Sequence, residues 1–306
     1  MTETVSIREV GLRDGLQMVT RLLPTEIKLD WCAAQAAAGF NEIEVTSFVP
    51  PSVMPQFSDA ADVLTGALQI EGLLASVLVP NLKGALRAMD AGARKITYVL
   101  SASEAHNQAN TRRSTDASIA MARTLFEERR ARGLTGELQL SCIIATSFGC
   151  SIQGAVDPAR VCDIAAQLAD FGSDEISLAD TVGHAGPKSV ATLFRDAMPG
   201  CGQAAMAAHF HDTRGMGLAN VVAATEAGVR RFDAALGGLG GCPFAPGATG
   251  NIATEDCVYM LERLGMKTGV DMAALLELRQ KLAAWLPGEE LHGKMLRAGP
   301  IRSGTS

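Results

Sequence analysis

The feature that most constrains this chain of 306 residues is one pattern that recurs eight times: a short apolar or β-branched run, then a longer stretch with helical spacing. The strands that this pattern predicts are 5–10, 42–46, 72–79, 95–100, 137–145, 175–178, 205–211 and 231–235. The helices that it predicts are 24–38, 58–67, 81–91, 115–132, 158–171, 187–197, 214–227 and 254–264. Eight such units within about 260 residues match a closed parallel barrel.

The turn after the first strand decides between two α/β architectures. Its sequence, residues 11–17, reads Gly-Leu-Arg-Asp-Gly-Leu-Gln, which is not the glycine pattern of a dinucleotide-binding open sheet. We therefore predict an α/β fold, a (β/α)₈ TIM barrel, over residues 1–266. A short C-terminal extension, 267–306, breaks the repeat and is expected to place one helix, 271–285, and a tail on or near the barrel.

Composition and charge exclude several classes of protein. The content of 47% hydrophobic and 20% charged residues is that of a globular protein, and a net charge of −6 offers no basic stripe for nucleic acid. No apolar run approaches the roughly 20 residues that a membrane span needs. Strand-like sequence begins within a few residues of the first, so we expect no signal peptide. Seven scattered cysteines without a CxxC pair favour a reduced, cytoplasmic setting.

Reactive side chains follow several predicted strands, where a TIM barrel carries its active site. They are Arg13, Asp14 and Gln17 after the first strand, Glu44 and Ser47 on the second, Asp180 after the sixth, His209 and His211 on the seventh, and Cys242 and Asn251 after the eighth. Closure of the barrel would bring these distant positions to one rim. We expect Gln17 and Ser47 to contact substrate.

The sharpest local signal is His209-Phe210-His211, because residues two apart on a strand face the same side. Together with Asp14, the two imidazoles would suit Mg²⁺ or a divalent first-row metal, and Asn251 could add a carbonyl oxygen. The alternative is a hydrogen-bonded histidine pair at a strand end. A carboxylate on the same rim favours the metal.

The other charged candidates have structural alternatives. Asp14 could cap a turn, and Arg13 could be a surface cation. Glu44 lies in an apolar strand, so its carboxylate must be paired or functional, and holding Arg13 is one such role. Asp180 could instead cap a short turn before Gly183.

Cys242 differs from the other cysteines in its surroundings, a loop with five nearby glycines that are Gly237, Gly238, Gly240, Gly241 and Gly247. Such a loop lets backbone approach a ligand, and a thiol there could act as proton donor or nucleophile. The remaining cysteines are interpreted as packing residues. His106 and His184 lie in βα loops and could approach the site, although an ordinary loop histidine is the default interpretation of each.

Five segments, residues 11–17, 43–49, 209–213, 238–245 and 250–256, resemble the signatures of the 3-hydroxy-3-methylglutaryl-CoA (HMG-CoA) lyase family. The resemblance extends to about residue 270, and the loop with Cys242 is its most specific motif. It implies retro-Claisen cleavage of a 3-hydroxyacyl-CoA, in the first place HMG-CoA, to acetyl-CoA and an oxo acid.

The resemblance also implies a role for each candidate residue. Mg²⁺ or Mn²⁺ would be held by Asp14, His209, His211 and Asn251. Asp180 or a neighbouring group would take the substrate's hydroxyl proton, and Arg13, oriented by Glu44, would stabilise the enolate of acetyl-CoA. Cys242 would then protonate the enolate carbon.

The chain departs from the family pattern around the substrate. Met18-Val19 replace the usual Asn-Glu, residues 103–110 lack lysines near Gln108 and Ala109, Ser151-Ile152-Gln153 replace Pro-Tyr-Glu, and the stretch from residue 286 does not match. A lyase for a related substrate such as citramalyl-CoA therefore stays open. The Cys242 loop argues against an aldolase or condensing enzyme, and the intact set of candidates argues against a binding protein on an inactive barrel. Barrels of this kind often pair, so we expect a homodimer.

Overall fold

A closed barrel of eight parallel strands forms the centre of the computed structural model, which describes residues 3–241 and 250–299. The strands are β1 (Ser6–Glu9), β2 (Glu42–Ser47), β3 (Leu74–Val79), β4 (Lys95–Ser101), β5 (Gln139–Ala145), β6 (Glu175–Asp180), β7 (Ala205–Phe210) and β8 (Arg231–Ala234). Each strand pairs with the next along the chain, and β8 closes on β1. The predicted TIM barrel is therefore confirmed.

Helices surround the barrel and follow the strands. They are α1 (Thr25–Ala37), α2 (Ala60–Ala67), α3 (Leu82–Asp90), α4 (Glu104–Thr111), α5 (Thr115–Ala131), α6 (Pro158–Phe171), α7 (Pro187–Ala197), α8 (Gly217–Glu226), α9 (Thr254–Arg263), α10 (Met272–Trp285) and α11 (Met295–Ala298). None of the helices within the described ranges has the length and hydropathy to cross a bilayer.

The helix α4 lies in a segment that the sequence pattern treats as a loop, and that expectation was wrong. The segment is mostly polar and shows no apolar period, so the usual helix signal is missing. The helix begins because the Ser103 hydroxyl accepts a hydrogen bond from the His106 N–H at 3.2 Å, as an N-cap does. It ends at Arg112, whose φ of 57° is left-handed.

The interior of the barrel is charged at its N-terminal end. Three cations and three carboxylates meet there, and we call these residues the floor network: Arg8, Lys95, Arg231, Glu42, Glu175 and Asp233. Glu42, Lys95, Glu175 and Arg231 are the first residues of the even-numbered strands and so share one layer. Arg231 is exposed, and burial of the other five charges is tolerated because each has an oppositely charged partner.

The C-terminal extension contacts the barrel in several places. The Trp285 ring of α10 lies 6.4 Å from the Trp31 ring of α1, measured between centroids. The His292 N–H donates to the Gly237 carbonyl at 2.7 Å, which ties the extension to the loop after β8. The domain boundary at residue 266 stays a prediction.

Candidate metal centre and active-site cavity

A π-helical turn, Gly11–Gly15, follows β1 and carries Arg13 and Asp14 to the C-terminal rim of the barrel. The buried Glu9 carboxylate anchors this turn, because it accepts hydrogen bonds from the N–H groups of Gly11 (2.8 Å) and Leu236 (2.9 Å). A Cβ at Gly11 would lie 2.6 Å from Glu9 Oε1 and 2.9 Å from the Trp31 ring, so the turn requires glycine. Burial raises the pKa of Glu9 to about 7. The sequence interpretation had assigned Glu9 no role.

Asp14, His209 and His211 converge on one buried point at this rim. Their potential ligand atoms all lie within 4.8 Å of one another. The Nε2 atoms of the two histidines are 3.1 Å apart, and His211 Nε2 is 3.7 Å from Asp14 Oδ2. The structure thus brings three of the four residues predicted to bind a metal close enough together to share one ion.

Asn251, the fourth predicted ligand, lies beside these three. Its amide Nδ2 donates to Asp14 Oδ2 (2.7 Å) and to the Leu239 carbonyl (3.1 Å). Its buried Oδ1 has no hydrogen-bond partner among residues 3–241 and 250–299. A buried amide oxygen without a partner is costly unless something else pairs with it. Two imidazoles, one carboxylate and one amide oxygen are a donor set that fits a divalent cation.

The charges around this point hold Asp14 in its ionised, metal-binding form and raise the pKa of His209. Burial alone would raise the pKa of Asp14, but Arg13 and the two histidines outweigh it and hold that pKa well below its ordinary value. For His209, burial alone would lower the pKa. A hydrogen bond from its Nδ1 to Asp233 Oδ2 (3.1 Å) and the charge of Asp14 outweigh burial and raise the pKa overall. Asp14 is therefore an anion at neutral pH.

Arg13 is held between two carboxylates. Its Nε donates to Glu44, which is fully buried, and its Nη1 lies 2.5 Å from Asp14 Oδ1. The alternative interpretation of Arg13 as a surface cation is wrong, because the residue is buried. The contact expected between Glu44 and Arg13 is present. A guanidinium fixed in this way needs little reorganisation to stabilise a developing negative charge.

Asp180 ends β6, and its carboxylate binds the loop that follows. One oxygen accepts from the His184 N–H (2.8 Å) and the other from the Ala185 N–H (3.0 Å). Burial raises the pKa of the group. These contacts favour the turn-capping alternative, and the role of general base for Asp180 stays a proposal.

A cavity of about 590 Å³ opens above the metal centre. Its wall includes Gln17 and Ser47, the two predicted substrate contacts; Gln17 also donates to Asp14 Oδ1 at 3.2 Å. The wall formed by β4 and β5 is apolar and consists of Val99, Ile143 and Ala145. The volume is that of a typical small-molecule site.

His106 lines the same cavity from α4, although the sequence interpretation treated it as an ordinary loop histidine. Its Nδ1 lies 2.6 Å from the Ser101 hydroxyl at the end of β4. Burial lowers the pKa of His106, so the ring is neutral at neutral pH. His184 lies beside Gly149 and is not among the residues that line the cavity.

Two further cations border the cavity where α4 ends. Arg112 is exposed, whereas Arg113 is half-buried and donates to the Pro80 carbonyl at 3.3 Å. The sequence interpretation noted the lysines missing near Gln108 and Ala109 but overlooked these arginines a few residues later. Recognising them requires knowing that the segment is helical and that its end faces the cavity.

Cys242 lies outside the described residues, so its predicted role stays a prediction. Gly241, the last residue described before it, lines the cavity. The other six cysteines are free thiols, and burial raises the pKa of Cys32, Cys142 and Cys257 to about 12. Those three thiols are protonated at neutral pH, as packing residues should be.

Known proteins resemble this chain over most of its length. The HMGL-like family model matches residues 4–282. Hydroxymethylglutaryl-CoA lyase YngG of Bacillus subtilis is 40% identical over 292 residues, 95% of this chain and 94% of that protein. The mitochondrial hydroxymethylglutaryl-CoA lyase of Bos taurus is 40% identical over 273 residues, 89% of this chain and 83% of that protein.

Solved structures give the same result. An HMG-CoA lyase from Acinetobacter baumannii, in complex with coenzyme A and 3-methylmalate, superposes with a TM-score of 0.91 at 41% identity, covering 99% of this chain and 97% of that one. The carboxyl transferase domain of Rhizobium etli pyruvate carboxylase, at 18% identity and a TM-score of 0.72 over 96% of this chain and 50% of that one, shares the fold alone. On the family match and these identities, the chain belongs to the HMGL-like family.

Proposed function

We propose that this chain is a divalent-metal-dependent carbon–carbon lyase that cleaves HMG-CoA to acetyl-CoA and acetoacetate. The observation that carries the proposal is the convergence of Asp14, His209 and His211 within 4.8 Å, beside the clamped Arg13, at the base of a cavity. The names of relatives about 40% identical over most of the chain support the same reaction.

The metal would be Mg²⁺ or Mn²⁺, held by Asp14, His209, His211 and Asn251. When bound, such an ion supplies Lewis-acid chemistry that lowers the pKa of a substrate hydroxyl. The two oxygen donors and two imidazoles suit either ion, and the unpaired Oδ1 of Asn251 supports its inclusion.

The reaction itself needs one proton removed and one returned. A base, Asp180 or a neighbouring group, takes the proton of the C3 hydroxyl; the C2–C3 bond breaks and C3 becomes the ketone of acetoacetate. The electron pair of that bond remains on the acetyl-CoA part as an enolate, whose charge Arg13 stabilises from its fixed position between Glu44 and Asp14. Cys242 then donates a proton to C2.

The CoA part of the substrate would extend toward the end of α4. A net charge of −6 gives no general attraction for an anionic carrier, so local cations must supply it. Arg112 and Arg113 border the cavity there and offer guanidinium groups suited to phosphate. They would take the place of the lysines missing near Gln108 and Ala109.

Citramalyl-CoA, which would give acetyl-CoA and pyruvate, is a second candidate substrate. One observation keeps a change of acyl preference open: two segments that depart from the family pattern touch each other at the start of α4, the helix that carries His106 to the cavity. Gln153 Oε1 accepts from the Ser103 hydroxyl (2.9 Å), which joins the loop after β5 to the start of α4. A changed acyl preference is the expected result of such a change.

A steady-state assay of the purified protein with both thioesters and Mg²⁺ or Mn²⁺ tests the proposal. A higher kcat/KM for HMG-CoA than for citramalyl-CoA supports the proposal. A higher kcat/KM for citramalyl-CoA would change the proposed substrate and leave the proposed lyase reaction in place. Cleavage of neither, with condensation of an oxo acid and acetyl-CoA instead, would favour an aldolase or synthase.

The cellular setting and assembly are part of the same proposal. We propose a cytoplasmic homodimer, since the six described cysteines are free thiols and barrels of this kind often pair. Light scattering of the purified protein tests the dimer: a mass near 64 kDa, twice the 32.0 kDa of one chain, supports it, and a monomer contradicts it.

A further inference from the structure

We propose that Asp233 is a positioning residue for the metal centre: supported by Arg8, it fixes the tautomer and orientation of His209. The inference rests on the proposed metal-dependent function. It concerns a residue in the middle of β8 that does not belong to the set of proposed metal ligands.

The two oxygens of Asp233 serve different partners. Oδ1 accepts a hydrogen bond from Arg8 Nε at 2.8 Å and forms an ion pair with Arg8 Nη2 at 2.7 Å, and Oδ2 lies 3.1 Å from His209 Nδ1. All three side chains are buried. Within the described ranges, Asp233 is the one carboxylate of the floor network that also contacts a residue of the metal centre.

This contact decides which nitrogen of His209 carries the proton. An ionised carboxylate only accepts hydrogen bonds, so Nδ1 must be the donor, which leaves the lone pair on Nε2. Nε2 is the atom that faces His211, 3.1 Å from its Nε2. Histidines that bind metals commonly have their second nitrogen fixed in this way, which raises their basicity as ligands.

Arg8 keeps the carboxylate of Asp233 in place. Besides Asp233, its guanidinium contacts Glu175 at 2.8 Å and Glu42 at 3.2 Å, so three carboxylates determine its orientation. Asp233 therefore connects the floor network to the metal centre at the rim. If its carboxylate turned away from His209, the Arg8 guanidinium would lose one of its three anionic partners.

The substitution Asp233→Asn tests this arrangement because the amide has one acceptor and one donor end. Arg8 has only donors, so the amide oxygen must face Arg8 and the NH₂ group must face His209 Nδ1. The proton of His209 then moves to Nε2 and blocks the ligand position. We expect Mn²⁺ to bind to the metal-stripped variant about 10- to 100-fold more weakly than to wild type.

Glu42→Gln is the matched control. It also removes one negative charge from the floor network, where Glu42 pairs with Arg8 and with Lys95 (2.8 Å), but it does not touch His209. The affinity of Glu42→Gln for Mn²⁺ should stay within about threefold of wild type, because His209 keeps the same tautomer in this variant.

Calorimetric titration of Mn²⁺ into the three metal-stripped proteins separates the outcomes. Equal affinities for Asp233→Asn and Glu42→Gln, with normal binding by wild type, overturn this inference alone. A wild-type protein that binds no Mn²⁺ overturns the proposed metal-dependent function and this inference together.

Nitrogen NMR of metal-stripped wild-type protein observes the tautomer directly, without a measurement of metal affinity. The His209 signals, assigned with a His209→Gln sample and recorded at a pH at which the ring is neutral, should show Nδ1 protonated and Nε2 bare. The opposite tautomer in wild type would overturn the inference, and a switch to that tautomer in Asp233→Asn would support it.

Discussion

The two ends of the cavity are built on different principles. At the metal end, Arg13 pairs with Glu44 and Asp14, and His209 pairs with Asp233, all on barrel strands or the turn after β1. At the end bordered by α4, Arg112 is exposed, Arg113 is half-buried and donates to the Pro80 carbonyl, and His106 contacts the Ser101 hydroxyl at the end of β4. The first end is preorganised for chemistry, and the second is free to vary with the substrate.

The largest effect is expected at the metal end. His211→Ala removes one of three converging ligands, so turnover should fall by more than about ten-thousandfold while the barrel stays folded. Metal analysis and circular dichroism of the purified variant check both parts. A variant that retains its metal and half its activity would mean that His211 is not a ligand.

Cys242→Ser should lower kcat by about a thousandfold, the range of a general acid, while Mn²⁺ binding is unchanged. Serine has nearly the same size but is a far weaker acid. Alkylation of the wild type should inactivate it, and substrate should protect it. A near-normal kcat for the serine variant would remove Cys242 from the mechanism, whereas a trapped thioester would make it a nucleophile.

Arg13→Met should lower kcat by about 10²- to 10³-fold with a smaller change in KM, because its charge matters most when the enolate forms. Glu44→Gln is the companion variant. It retains the Arg13 guanidinium but weakens the ion pair that orients it, so kcat should fall less than in Arg13→Met. Steady-state kinetics of both variants provide the comparison. An Arg13→Met enzyme with raised KM and normal kcat would place Arg13 in ground-state binding.

At the end of the cavity bordered by α4, substitutions should weaken binding of the CoA thioester rather than slow the reaction. Arg113→Ala should raise KM for the CoA thioester about tenfold and leave kcat nearly unchanged, since the charge it offers to phosphate is the same throughout the reaction. Arg123→Ala, on the outer helix α5, serves as a charge-matched control without effect. A fall in kcat with constant KM for Arg113→Ala would contradict the division between the two ends.

The smallest effect concerns acyl preference. His106→Asn retains a polar side chain but loses the ring held by Ser101, so the ratio of kcat/KM for HMG-CoA to that for citramalyl-CoA should change about threefold. The metal affinity of His106→Asn serves as the control and should equal that of wild type. An unchanged ratio would show that His106 does not contact the acyl group.

The same division explains what the sequence could predict. The barrel and the metal residues follow from local rules, because strand alternation places His209 and His211 on one face and closure brings Asp14 to the same rim. The helix α4 has no apolar period, so its cap at Ser103 was overlooked and with it the positions of His106 and Arg113. Asp233 lies inside a predicted strand, and only the packing of β7 against β8 reveals its contact with His209.

The central claim is that a divalent ion held at the Asp14, His209 and His211 cluster is required for cleavage. The most direct test removes metal from the wild-type protein with a chelator, measures HMG-CoA cleavage, and then adds back Mg²⁺ or Mn²⁺. We expect less than about 1% of the original rate without metal and recovery when either ion is restored. Full cleavage of HMG-CoA by metal-free protein would contradict it.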